Sequence, residues 1–186
     1  METFSDGVIA IIITIMVLEL RVPRGSNVDS LLPVMPVFFS YVLSFIFLGI
    51  YWNNHHHLLQ AIKRVDGRTL WANLHLLFWL SLIPFVTGWM GENYFAPWPV
   101  ALYGVVLLFA AIAYFILTRT LISIHERDSI LVTALGSDFK GRVSVVFYVA
   151  AIPLSFVNPW FACVVYVFVA VMWLVPDRRI EKTIMQ

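Results

Sequence analysis

Charge is scarce in this chain: 12% of its 186 residues are Asp, Glu, Lys or Arg, about half the roughly 25% of an average soluble domain. That scarcity excludes an ordinary water-soluble surface. With a net charge of +1 and its basic residues confined to short connections, the chain also lacks an electrostatic footprint for nucleic acid, and no nucleic-acid partner is expected. Cysteine is nearly absent. The one cysteine, Cys163, lies in an apolar stretch, which excludes an intramolecular disulfide and any cysteine-rich metal site. The serines Ser40, Ser44, Ser81, Ser123 and Ser155 have neither a GxSxG turn nor a lysine partner, so no enzyme is expected. No basic region precedes the first apolar run. That run ends in Glu19-Leu20-Arg21 instead of a small-residue cleavage site, so the first segment is expected to stay in the mature protein.

Apolar residues make up 61% of the sequence, and they gather into segments of the length that crosses a hydrocarbon core about 30 Å thick. The reading is an all-α integral membrane protein of six transmembrane helices, at 4–20, 31–52, 70–90, 99–118, 143–157 and 160–175, forming one domain over 1–186. Asn158-Pro159 makes the turn between the last two. Pro84 and Pro153 are expected to kink their helices. No low-complexity tract, soluble domain or repeated three-helix unit appears.

Lys and Arg fix the expected orientation. The loop after the second helix has Lys63, Arg64 and Arg68, and the loop after the fourth has Arg119, Arg127, Lys140 and Arg142. The tail adds Arg178, Arg179 and Lys182, whereas the other side holds only Arg21 and Arg24. Positive loops stay in the cytoplasm, so the N- and C-termini are expected to be cytoplasmic. Trp52, Trp71, Trp89, Trp98 and Trp160 fall near segment ends, as interfacial aromatics do. The string His125-Glu126-Arg127-Asp128 is expected to continue the fourth helix into the cytoplasm.

Three groups of residues stand out against this apolar background. The first helix opens on Phe4-Ser5-Asp6-Gly7, where Thr3 or Ser5 would cap it and Asp6 would complement its dipole. The second helix ends in Asn53-Asn54-His55-His56-His57. Neighbouring helical positions point about 100° apart, so consecutive histidines do not converge on one ion, and no acidic partner follows at metal spacing; no metal site is expected. Asn73 and His75 lie just inside the same face of the membrane. If the first three helices pack together, Ser5, Asp6, Asn73 and one histidine form a buried polar network. The alternative is a proton-coupled membrane transporter using Asp6 with His55, His56 or His75, although no ionisable residue occupies the midplane of a segment. A non-conducting membrane scaffold is a third reading.

Ile11, Thr14 and Leu18 recur at i, i+3 and i+7 along the first helix, one face of which would stack three rings about a turn apart in a symmetric assembly. Periodicity alone does not choose that face, because Ile12, Ile13 and Val17 are equally apolar. The pattern Phe4-Ser5-Asp6-Gly7-Val8-x-Ala10-Ile11-x-x-Thr14, closing with Leu18 and Leu20, closely resembles the signature of the transmembrane protein 175 family of potassium channels. The likeness extends to Trp52 and His55-His56 at the end of the second helix and to Asn73, Pro84, Phe85 and Thr87 in the third. The family usually has an arginine four residues before the phenylalanine, a position that would precede Met1 here.

The resemblance implies a homotetramer of six-helix units in the lipid bilayer of a prokaryotic cytoplasmic membrane, conducting potassium ions through a central pore lined by the first helix. It places the constriction at Ile11, with Thr14 and Leu18 as further rings. It assigns Ser5 and Asp6, with His55, His56 and Asn73, to structural support. No cofactor is implied beyond the permeant K+. No TVGYG-like sequence is present, so backbone carbonyls are not expected to form a filter, and selection would fall to side chains with a modest preference over sodium. No helix carries spaced arginines, so no voltage sensor is expected.

Overall fold

The computed structural model describes residues 1–60, 62, 64–124 and 139–174, and among these every regular element is helical. In order they are α1 (Glu2–Leu18), a 3-10 stretch (Val28–Val34), α2 (Met35–Gln60), α3 (Gly67–Ser81), α4 (Ile83–Glu92), α5 (Pro97–Ser123), α6 (Phe139–Val157) and α7 (Pro159–Leu174). Among the described residues four stretches are long and apolar enough to cross a membrane: Val28–Gln60, Gly67–Glu92, Pro97–Ser123 and Phe139–Val157. The remaining two helices, α1 and α7, are shorter, with 17 and 16 residues.

The boundaries differ from the sequence reading where proline and packing intervene. The expected third segment is interrupted at Leu82, because Pro84 in the first turn of α4 has no N–H to give the turn before it. Pro153 is instead accommodated within α6. Pro33 lies in the 3-10 stretch, so α2 starts four residues later than expected, at Met35, and then continues through the histidines to Gln60. Helix α1 begins at Glu2, which puts that residue and not Asp6 in the first turn; Thr3 and Ser5 lie inside the helix and no side chain caps it. Helix α5 runs on to Ser123 and α6 starts at Phe139. Val175, Lys63, the His125–Asp128 string, Arg178, Arg179 and Lys182 lie outside the described residues.

Helix α5 is the hub. It packs against α3, α4, α6 and α7, while α2 lies on α4, and α1 rests on α2, α3 and α4. Its interior face buries Tyr103, Leu107, Ala110, Ala113, Leu117 and Leu121, spaced three to four apart as a helical stripe requires. Buried hydroxyls cross-link the helices at one level. Ser44 of α2 is 2.6 Å from the Thr87 hydroxyl of α4 and 3.0 Å from the Tyr103 hydroxyl of α5. Tyr166 of α7 donates to the Val100 carbonyl at 3.1 Å, and Trp173 of the same helix donates to Ser144 of α6 at 2.8 Å. In an apolar interior these bonds satisfy polar groups that have no water to turn to.

Two glycines permit close helix contacts. A Cβ on Gly91 would lie 2.5 Å from the Val37 Cα and 2.6 Å from the Ser40 hydroxyl, so α4 and α2 meet there backbone to backbone. At Gly104 a Cβ would strike the Tyr166 ring and hydroxyl. Gly49, also in α2, has open space around it. Accordingly, Gly91→Ala should destabilise the protein by about 1–3 kcal/mol through overpacking, and Gly49→Ala should leave it as stable as the parent or slightly more so. Thermal melting of the detergent-solubilised variants distinguishes them, and equal melting points would refute the close contact.

Asp66 caps α3, accepting from the Thr69 backbone N–H at 2.8 Å and from its hydroxyl at 2.7 Å. Those bonds hold its carboxyl below the ordinary value of 3.8. A lowered folded value means that the cap contributes above the unfolded value and is lost as pH falls through the folded one. Asp66→Ala should therefore melt earlier than wild type at pH 7, and the gap should close on acidification through the carboxylate range; a gap independent of pH would mean that the carboxylate is not the cap.

Candidate functional site

Helix α1 has two distinct faces. Ser5, Ile9, Ile12 and Met16 are buried at spacings of four, three and four, a single helical stripe. The other side is uncovered: Phe4 is 57% exposed, Ile11 61% and Leu18 76%, and Thr14 is exposed with them. Ile11, Thr14 and Leu18 therefore share a face that nothing among the described residues covers. Ile12, one residue from Ile11 and chemically identical, is 3% exposed. The Thr14 hydroxyl donates to the Ala10 carbonyl at 2.8 Å. Its proton is thus turned toward the helix, and its oxygen lone pairs remain available outward.

The buried face is anchored by a polar trio drawn from three helices. Asn73 of α3 donates from its amide nitrogen to the Ser5 hydroxyl at 2.9 Å. Its amide oxygen lies 2.7 Å from His55 Nε2 on α2. With that oxygen as acceptor, His55 donates from Nε2. Ser5 in turn donates to the Met1 carbonyl at 3.2 Å. Ser5 and His55 are fully buried, and Asn73 is 2% exposed.

Asp6 and His56 stand beside this trio and outside it. Asp6 accepts from the Trp52 indole N–H at 3.0 Å, and the Trp52 ring stacks on His56 at a centroid distance of 5.6 Å. His56 Nδ1 lies 3.0 Å from the Glu2 carboxylate. His75 turns elsewhere, accepting from Trp79 Nε1 at 3.0 Å. Glu2 was not singled out in the sequence, since only the docking of α1 on α2 brings it to His56; Trp52 was named there as an interfacial aromatic and in the family likeness, without its bond to Asp6. At the opposite end of α1, Arg21 pairs with Glu92 of α4 at 2.9 Å.

The matches to known proteins agree with this architecture. The family described as endosomal/lysosomal potassium channel TMEM175 matches residues 1–84, which contain α1 to α3 and the start of α4. A potassium channel of Chryseobacterium sp. (strain P1-3) is 55% identical over 184 residues, covering 99% of this chain and 96% of that protein. This chain belongs to the TMEM175 family. A second relative, a potassium channel of Chamaesiphon minutus (strain ATCC 27169 / PCC 6605), is 30% identical over 173 residues, 86% of this chain and 84% of that one. The crystal structure of a lysosomal potassium-selective channel TMEM175 homolog from Chamaesiphon minutus superposes with a TM-score of 0.78 at 29% identity, covering 94% of both chains. These TMEM175 relatives are named as channels and not as enzymes.

The buried trio makes this TMEM175-family chain sensitive at a single amide. Asn73→Leu should strand the His55 Nε2–H without a partner, leave the Ser5 hydroxyl only its bond to the Met1 carbonyl, and destabilise the protein by about 2–4 kcal/mol. Asp6→Asn, which keeps an oxygen for Trp52 at a half-exposed position, should cost less than about 1 kcal/mol. Melting of the two variants side by side tests the ranking, and an Asp6 variant weaker than the Asn73 variant would invert it.

Proposed function

We propose that this chain is a potassium channel whose conducting unit is a homotetramer, with the exposed face of α1 from each copy turned toward a shared axis. The observation that carries the reading is the uncovered stripe of Ile11, Thr14 and Leu18 on a helix whose opposite face is buried in its own subunit. Four copies of such a face around an axis give three stacked rings. The names of the relatives support potassium as the permeant ion.

Ile11 is the constriction. A ring of isoleucines supplies no ligand to replace water, so an ion passes only by shedding or deforming its hydration shell. Sodium holds that shell more tightly than potassium and meets the larger barrier. Both ions are penalised, so the preference for potassium is modest. The same ring closes by dewetting when it narrows. Thr14, with its hydroxyl proton already committed to Ala10, offers oxygen lone pairs to a partly dehydrated cation. Ser5, Asp6, His55, His56 and Asn73 do not touch the ion; they hold α1 at the rotation that presents Ile11.

The chain is a multi-pass membrane protein. Its setting in this reading is the cytoplasmic membrane of a prokaryote, with both termini in the cytoplasm, a placement that the Lys and Arg distribution supports.

The test is the reversal potential of purified protein in a lipid bilayer with potassium on one side and sodium on the other. Wild type should reverse toward the potassium equilibrium potential. Ile11→Asn should raise sodium permeability relative to potassium several-fold without loss of melting temperature, whereas Ile12→Ala should lose about 2–5 kcal/mol of stability as a core truncation. Unchanged ion ratios in a well-folded Ile11 variant would remove that residue from the constriction.

A further inference from the structure

Glu2 and Asp6 lie one turn apart on α1, and His56 faces them from the last turns of α2. Their ligand atoms all fall within 4.8 Å of one another. His56 Nδ1 stands 3.0 Å from the Glu2 carboxylate, an ion pair when the imidazole is protonated, without the geometry of a hydrogen bond. Nδ1 therefore has no hydrogen-bond partner although it is sealed from solvent. A nitrogen in that position, beside two carboxylates, is placed as a donor group to an ion shared with them. Ligands of a tetrahedral zinc ion, each about 2.0–2.1 Å from the metal, stand about 3.3 Å apart, close to the separation already present between His56 and Glu2.

The groups behind these three are arranged to orient them. Trp52 donates to one Asp6 oxygen, which leaves the second oxygen unengaged by it, and the Trp52 ring stacks on the His56 imidazole. Gln60 is 2.8 Å from His56 Nε2. A primary amide presents either its NH2 or its oxygen to that nitrogen after a half-turn of the side chain, so Gln60 can accept from Nε2–H and leave the Nδ1 lone pair for a metal. Outer partners of this kind, on the far ring nitrogen and on a ligating carboxylate, are what a metal-bound imidazole and carboxylate require. The His56 and Glu2 side chains are 30% and 41% exposed, so the cluster lies at the protein surface.

We propose that Glu2, Asp6 and His56 form a binding site for a divalent transition-metal ion of the zinc class, with water completing the coordination. One imidazole and two carboxylates suit zinc and its neighbours. A bound ion would tie the first turns of α1 to the end of α2. The proposal stands apart from the conduction reading, because binding is read without any current.

The experiment titrates zinc into EDTA-stripped, full-length protein by isothermal calorimetry in detergent. Wild type should take up one zinc per chain. His56→Gln and Glu2→Gln should each weaken binding at least tenfold, while His57→Gln, a neighbour outside the cluster, should bind as wild type. Melting of each metal-free variant confirms that it is folded. As a second measurement independent of mutagenesis, zinc-edge X-ray absorption of the wild-type complex should show one imidazole per metal. No uptake by wild type, full binding by a folded His56→Gln variant, equal loss in His57→Gln, or two or more imidazoles per zinc would each overturn the site.

Discussion

A single carboxamide sets the geometry of the end of the fold where α1 begins and α2 ends. Asn73 gives its nitrogen to Ser5 of α1 and its oxygen to His55 of α2, in surroundings from which solvent is absent. Neither partner has water to fall back on, so the three helices are held at one mutual register or an uncompensated polar group results. The rotation of α1 follows directly. With Ser5 fixed inward, helical periodicity places Ile9, Ile12 and Met16 inward too, and it turns Ile11, Thr14 and Leu18 outward. The exposed stripe is thus a consequence of a hydrogen bond on the opposite side of the helix.

Other contacts reinforce that setting. Trp52 holds Asp6 just outside the trio, and Arg21 secures the far end of α1 to α4. At another level the hydroxyls of Ser44, Thr87 and Tyr103 join α2, α4 and α5. Gly91 lets α4 approach α2 closely enough that a methyl group would not fit. The chain is therefore fastened by directional bonds and small-residue contacts, which suits a protein that gains little from burying apolar groups out of a solvent that is itself apolar.

Much of this was legible in the residues. The helical segments followed from long apolar runs, and the Phe4-Ser5-Asp6-Gly7 opening marked α1 as unusual. The places where the sequence fell short share a cause: they depend on which remote residues meet. Ile11, Ile12 and Ile13 are identical in composition and differ only in what packs against them. Three consecutive histidines point in three directions, and the choice of His55 as the inward one needs the position of Asn73. His56 seemed to lack acidic neighbours because Glu2 and Asp6 lie some fifty residues away along the chain. Ser44 appeared as one of several scattered serines, with nothing local to indicate Thr87 and Tyr103. The boundaries of the second and third segments shifted for local reasons, where prolines Pro33 and Pro84 favoured a 3-10 stretch and a break over a continuous helix.

The shortness of α1 has an electrical meaning. Its 17 residues rise about 26 Å at 1.5 Å per residue, whereas the 26 residues of α2 and 27 of α5 rise about 39 and 41 Å. In the proposed assembly the helix that lines the central axis is shorter than the roughly 30 Å of the surrounding hydrocarbon. The membrane voltage there falls over a shorter path than through lipid, so an ion between Leu18 and Ile11 experiences a steeper field than the bilayer thickness alone would give.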